Sequence, residues 1–221
     1  MRIGHLLASG RSADVYALDE GRVLRRYRSG HDATGEAVLM AHLSASGFPV
    51  PRVHPGGEAR TDLVMDRLSG PTMAQALLSG SMAAEEGGET LARLLGHLHT
   101  VPARAGNGPG DRILHLDLHP ENVLLTPEGP VVIDWCNAEE GPPGLDWAMS
   151  ALILAQVAVA AAPERAAAVR AVLVSLLENR GTEPGGHVGE ARARRAADPN
   201  LTRDEIDRLD EAVALVRAGL G

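Results

Sequence analysis

The chain has 221 residues, enough for one large domain or two small lobes sharing a cleft. Hydrophobic residues make up 44%, but with two Trp, two Tyr and one Phe the core must rest on Leu, Val, Ile and Ala. The formal net charge of −8 argues against nucleic acid as a main partner, because binding backbone phosphates needs a basic face.

Met1 to Gly10 shows no long apolar stretch followed by a small-residue cleavage site, so no signal peptide is expected. Leu6 to Leu18 reads as strand, small-residue turn and strand; Asp19-Glu20-Gly21 closes a second turn and Arg22 to Tyr27 is a third strand. The small residues from Ala8 to Ala13, with Ser9 and Gly10 among them, let the backbone approach a bound group, and N–H groups there can face phosphates. Alternation places Val23 and Arg25 on one face of the third strand and Leu24 and Arg26 on the other. Asp32 to Ser46 reads as a helix that ends at Gly47-Phe48-Pro49, with Glu36 about one turn in. Thr61 to Met65 is a strand, and Asp66 to Pro71 leaves it as an extended linker. Thr72 to Leu78 and Glu85 to His99 are helices. Leu91, Leu94, Leu95 and Leu98 mark the core face of the second, with His97 and His99 at its C-terminus. Val101 to Gly110 is a Pro/Gly-rich loop.

The chemistry-bearing stretch follows. Asn122 to Thr126 and Pro130 to Ile133 are apolar runs around the turn signal Pro127-Glu128-Gly129, a β-hairpin. Asp117 and Asn122 precede it and Asp134 follows it, so the three side chains are expected to converge. One can accept a proton from an alcohol; the other two can hold a hard cation such as Mg²⁺, which prefers oxygen ligands. Beyond Asp134, Leu145 to Ala162 reads as an apolar buried helix, and Pro163 to Asn179 as another; the longest apolar run, Ala148 to Ala162, is interrupted by Ser150 and Gln156 and is expected to be too short for a bilayer span. Gly181 to Gly189 is a loop. Ala191 to Ala197 and Thr202 to Ala218 are helices, the latter opened by the capping box Thr202-Arg203-Asp204-Glu205. The single cysteine, Cys136, excludes an internal disulfide and fits a reducing compartment, so a cytoplasmic location is expected.

The spacing His115-x-Asp117-x-x-x-x-Asn122, then Asp134 after a second apolar strand, matches the kinase catalytic loop and its metal-binding Asp. With Ile133-Asp134-Trp135 and Gly144-Leu145-Asp146 in the same order, the segment Leu114 to Trp147 resembles the aminoglycoside phosphotransferase family. The resemblance implies an α+β, two-lobed protein-kinase-like fold, with an antiparallel-sheet N-lobe over 1–65, a hinge over 66–71 and a mainly helical C-lobe over 72–221 that carries the catalytic hairpin. It implies ATP, with GTP possible, and Mg²⁺ as cofactors, and a small hydroxyl-bearing acceptor as the partner. Nucleic acid and membrane are not expected as partners, and the monomer or dimer state stays open. Asp117 would be the catalytic base, and Asn122 and Asp134 the metal ligands. Ser9 and Gly10 would belong to the nucleotide-covering loop. Arg25 would take the phosphate-contacting place of a strand lysine, braced by Glu36; all 21 basic residues of this chain are arginine. Met65 would border the base pocket, main-chain groups of Asp66 and Leu68 would meet the adenine, and Asp146 would brace the catalytic loop.

The absence of Gly-x-x-x-x-Gly-Lys-[Ser/Thr] excludes a P-loop NTPase. The short link from Asp134 to Asp146 leaves no room for the activation segment of a regulated protein kinase. Two rival readings remain. The missing lysine suits a kinase-like nucleotide-binding module with weak or no turnover. His115-x-Asp117-x-His119 suits, less well, a zinc-dependent hydrolase.

Overall fold

A computed structural model describes residues 3–10, 12–28, 30–105, 108 and 110–221. Residue 11 of the small-residue turn, residues 106, 107 and 109 of the Pro/Gly-rich loop, and residues 1, 2 and 29 lie outside that description. In chain order the elements begin with β1 (Leu6–Ser9), β2 (Ala13–Ala17), β3 (Arg22–Tyr27), α1 (Thr34–Ala45), β4 (Val53–His54) and β5 (Asp62–Asp66). Next come α2 (Met73–Ser79), α3 (Ala84–Leu98), β6 (Arg112–Leu114), β7 (Val123–Thr126), β8 (Gly129–Val132) and β9 (Glu139–Gly141). Five helices close the chain: α4 (Pro143–Ala160), α5 (Pro163–Glu178), α6 (Val188–Ala196), α7 (Arg203–Asp207) and α8 (Leu209–Ala218). The chain forms two compact units, Met1–Pro71 with Leu124–Cys136, and Thr72–Val123 with Asn137–Gly221.

In the first unit an antiparallel sheet runs in the order β1-β2-β3-β5-β4. The β2–β3 turn forms where Asp19 accepts from the Gly21 N–H at 3.0 Å and from the Arg22 guanidinium. Central β3 is buried at Val23, Leu24, Arg25 and Tyr27, on both faces. Beside the sheet, α1 buries Leu39, Met40 and Leu43, and it stops where Gly47 takes φ +80°. The hairpin β7–β8 joins this unit through two outward main-chain bonds. Leu125 N–H donates to Pro71 O at 2.9 Å and Val132 N–H to Pro49 O at 3.0 Å. Gly70 passes so close that a Cβ there would sit 2.0 Å from the Leu125 carbonyl oxygen, which only glycine avoids.

The second unit is helical. Its centre is α4, buried at Gly144 to Ala155 and again at Ala158, with α5, α6 and α8 against it and α3 packed on α5. This is the one helix among the described residues long and apolar enough to cross a bilayer, and 72% of that window is buried inside the protein. Fully burying each of its Leu and Ile side chains is worth about 1.5–3 kcal/mol, which explains an apolar surface on every side. Leu91, Leu94, Leu95 and Leu98 of α3 face the core as their spacing predicts. Prolines start α4 and α5 at the first helical turn, where the missing N–H costs nothing.

Two expectations need correction, and one strand pair is new. The loop over 181–189 contains a 3-10 turn at Gly185–His187, and α6 already begins at Val188. The helix expected over 202–218 is two: Thr202 and Glu205 form their capping box, but the first helix ends at Arg208 (φ −90°, ψ −1°). The pair β6–β9 was not foreseen; three residues per strand carry too little alternation to show.

Candidate active site

In the second unit, residues 115–122 form a loop built around one buried carboxylate. Asp146, fully buried on the first turn of α4, accepts the His115 N–H at 2.9 Å and the Leu116 N–H at 2.7 Å. His99 Nε2, from the residue that caps α3, lies 3.1 Å from the same carboxylate. Burial pushes the Asp146 pKa up, but the His99 contact and the backbone N–H groups outweigh it and hold the group below the usual carboxylate range. These bonds hold Leu116 in the left-handed region at φ 60°, which costs a non-glycine residue about 1–2 kcal/mol. The loop thereby turns Asp117 outward, half-buried, while Leu118 goes into the core.

His115 is wholly buried, and its Nδ1 accepts the Asp117 N–H at 3.2 Å. His119 caps the short turn Pro120–Asn122 by accepting the Glu121 N–H on Nδ1 at 3.3 Å. Its Nε2 lies 3.8 Å from Asp117 Oδ1. Burial lowers the His119 pKa, with Asp117 opposing, so the ring is neutral at neutral pH. Asn122 turns its amide nitrogen to Asp117 O at 2.9 Å and Asp117 Oδ2 at 3.3 Å, with His119 Nε2 also 3.3 Å from it. That orientation leaves Asn122 Oδ1 without a hydrogen bond from any described residue.

The first unit holds the second cluster. Arg25 of β3 is 7% exposed. Its Nη1 donates to Glu36 Oε1 at 3.1 Å and its Nη2 to Asp134 Oδ1 at 2.5 Å. Burial alone would lower the Arg25 pKa; Asp134 and Glu36 override it and raise it, so the charge is permanent. Tyr27, two residues along the same strand face, donates its hydroxyl to Glu36 Oε2 at 2.5 Å and lies under the guanidinium, 4.8 Å from ring centroid to Cζ. Asp134 has φ 65°; it and Leu116 are the two non-glycine residues at positive φ among the described residues. Cys136 lies beside Asp134, and burial followed by that carboxylate pushes its thiol up to about 12.

The structure pairs Arg25 with Glu36, while Arg26 points the other way into a bidentate pair with Asp62 at 2.7 and 2.8 Å. Ser9 Oγ donates to Asp14 at 2.6 Å and accepts from Arg28, and the Gly10 N–H closes the turn on Ala13 O at 2.9 Å. Met65 is half-buried opposite Val23 on β3. The Asp66 N–H is taken by Arg52 O at 2.9 Å, and its side chain contacts His54 Nε2 at 2.6 Å. Asp117 and Asn122 belong to one unit, and Arg25, Glu36 and Asp134 to the other. Two residues escaped sequence reasoning. His99 was read only as a helix-end cation. Tyr27 shares a strand face with Arg25, and alternation already carried that signal.

Hard cations prefer oxygen ligands; the first unit offers one at the Asp134 carboxylate and the second another at the Asn122 amide oxygen. Among the described residues, no group of three or more His, Cys, Asp or Glu side chains could hold a metal ion. The zinc reading loses its basis here, since His115 and His119 each commit Nδ1 to a backbone N–H of their own loop. A cavity of about 340 Å³ in the helical unit, lined by Glu89, Ala92, Arg93, Gly96, Asn179 and Gly181, contains none of the motif residues.

The sequence pattern of the phosphotransferase enzyme family matches residues 4–113 and 107–194. No curated protein matches the chain at the sequence level. Among solved structures, ADP-bound aminoglycoside phosphotransferase APH(2'')-Ib is 13% identical, covering 100% of this chain and 94% of its own, with a TM-score of 0.59. A choline/ethanolamine kinase family protein from Mesorhizobium loti is 16% identical, covering 98% and 91%, with a TM-score of 0.60. Amicoumacin kinase hAmiN, in complex with AMP-PNP, Ca²⁺ and Ami, is 11% identical, covering 98% and 88%, with a TM-score of 0.57. These similarities establish an α+β, two-lobed protein-kinase-like fold, with an antiparallel-sheet N-lobe and a helical C-lobe.

Proposed function

Because this chain belongs to the phosphotransferase enzyme family, we propose that it moves the γ-phosphate of ATP, or of GTP, to a hydroxyl of a small molecule. The observation that carries the reading is the loop held by Asp146. It presents a half-buried carboxylate, Asp117, and fixes Asn122 so that its amide nitrogen is spent and its oxygen is left for a cation. Asp117 orients the acceptor hydroxyl and takes its proton as transfer completes. Asn122 and Asp134 hold Mg²⁺, which when bound neutralises charge building on the β- and γ-phosphates. Arg25, braced by Glu36, meets the α/β-phosphates; Ser9 and Gly10 cover them. Met65, Asp66 and Leu68 border the base. Positioning and electrostatics then supply most of the rate.

The acceptor class, an aminoglycoside-like antibiotic, a sugar or an amino alcohol, draws on what the structural neighbours are named for. A cytoplasmic site of action follows from the same reading. The experiment is phosphate transfer, followed by mass spectrometry, from ATP and Mg²⁺ to a panel of such alcohols. The wild type is compared with Asp117→Asn. Loss of the base should lower kcat about 10²–10⁴-fold and leave nucleotide affinity within a factor of about three. Transfer that survives Asp117→Asn would refute the assignment. Nucleotide binding without transfer to any acceptor would favour the second reading, a binding module without turnover. The observation behind that reading is the Arg25 guanidinium bonded to Asp134.

A further inference from the structure

We infer that Tyr27 is a positioning residue which, through Glu36 and Arg25, sets how readily Asp134 takes up a divalent cation. The inference rests on the reading of Asp134 as a metal ligand. Glu36 is buried, its side chain 2% exposed, and has two carboxylate oxygens to give. Tyr27 takes one of them at 2.5 Å, the shorter of the two contacts, and Arg25 the other at 3.1 Å. A guanidinium is a fork whose preferred partner is a whole carboxylate, gripped by two parallel N–H groups. With half of Glu36 committed to Tyr27, the fork splits. Nη1 stays with Glu36, and Nη2 closes on Asp134 Oδ1 at 2.5 Å. The Arg25 side chain is only 9% exposed, so it cannot turn to water instead, and the Tyr27 ring 4.8 Å beneath it blocks one direction of movement.

A divalent cation approaching Asp134 therefore meets an oxygen already neutralised and a fixed positive charge beside it. A lysine at position 25 would behave differently: one ammonium, a point charge, satisfied by Glu36 alone. The device thus follows from two residues on one strand face, an arginine with two directions to bond and a tyrosine that closes one of them. Removing the tyrosine hydroxyl frees Glu36 Oε2. The fork can then take both Glu36 oxygens and release Asp134.

The test uses the full chain with Mn²⁺ as the probe and no nucleotide. Bound metal is read from the loss of the free-ion electron paramagnetic resonance signal, and thermal melting confirms that each variant is folded. Tyr27→Phe and Arg25→Lys should each tighten Mn²⁺ binding about tenfold, the worth of one charge-assisted hydrogen bond. Adding Tyr27→Phe to Arg25→Lys should bring no further gain, because both act on the same contact. Asp134→Asn should abolish the binding in every background. If Asp134→Asn abolishes binding but Tyr27→Phe leaves the affinity unchanged or weaker, this inference fails and the proposed function stands. The same holds if Tyr27→Phe tightens binding equally with Lys at position 25, since Tyr27 then acts without Arg25. If Asp134→Asn leaves Mn²⁺ binding intact, the metal assignment fails and the inference with it.

Discussion

Replacing Asp146 by asparagine exchanges one oxygen for an NH₂ group and should be among the most damaging substitutions in the chain. Three donors converge on this buried carboxylate: the His115 N–H at 2.9 Å, the Leu116 N–H at 2.7 Å and His99 Nε2 at 3.1 Å. An asparagine offers one acceptor oxygen and one donor nitrogen. If the oxygen keeps His115 and His99, the amide nitrogen faces the Leu116 N–H, donor against donor. Leaving that buried donor unmet costs about 1–3 kcal/mol. The same bond holds Leu116 at φ 60°, a conformation worth about 1–2 kcal/mol of strain that is then no longer offset. Together the loss is about 2–5 kcal/mol, against the roughly 5–15 kcal/mol that stabilises a typical domain.

The assay is urea unfolding followed by tryptophan fluorescence, with Trp147 adjacent to the substituted residue. The acid limb supplies a second check. The folded pKa of Asp146 lies below the ordinary aspartate value of 3.8. The stabilisation from its ionised form is therefore fully present above pH 3.8 and is lost as pH falls through the lower folded value. The wild type should lose stability on acidification through that window and Asp146→Asn should not, so the gap between them closes there. A variant within about 0.5 kcal/mol of wild type at pH 7, or a gap that persists unchanged in acid, would refute the account of the loop.

Gly88→Ala should destabilise the helical unit by about 1–3 kcal/mol, because a Cβ there would lie 2.5 Å from Ser175 Cβ and 2.6 Å from Val172 O; a thermal midpoint equal to wild type would count against this α3–α5 packing. Cys136 should react slowly with a disulfide reagent at pH 7–8, and its rate should still be rising at pH 10, since burial and Asp134 push its thiol up to about 12. A rate that levels off near pH 8.5, the ordinary cysteine range, would show that the thiol is not so placed.

Much of the backbone was legible because it depends on neighbours in sequence. The hairpin β7–β8 shows in two apolar runs around Pro127-Glu128-Gly129, and the capping box shows in Thr202 and Glu205 at their fixed spacing. The contact within the loop over 115–122 is local for the same reason: Asp117 and Asn122 are five positions apart. What stayed hidden depends on where a side chain ends. His99 and Asp146 are 47 positions apart, and a histidine at a helix end carries no mark of the carboxylate it will meet. β6 and β9 find each other across a shorter gap, but with only three residues apiece.

Arg25 shows the boundary between the two kinds of information. Its place on β3 and the face it shares with Val23 follow from alternation, and its pairing with Glu36 from the family resemblance, which sets a helix glutamate beside that strand position. Its bond to Asp134, 109 positions away, does not. That bond exists because Tyr27 holds half of Glu36 and because a guanidinium has a second N–H to place. Neither condition is a property of any one position. Substituting a lysine by an arginine in a buried strand keeps the charge but adds a direction, and the surrounding carboxylates decide where that direction points. A reading that matches residues to a motif one at a time registers the changed letter. Only the three-body arrangement of Tyr27, Glu36 and Arg25 says what the change does to Asp134.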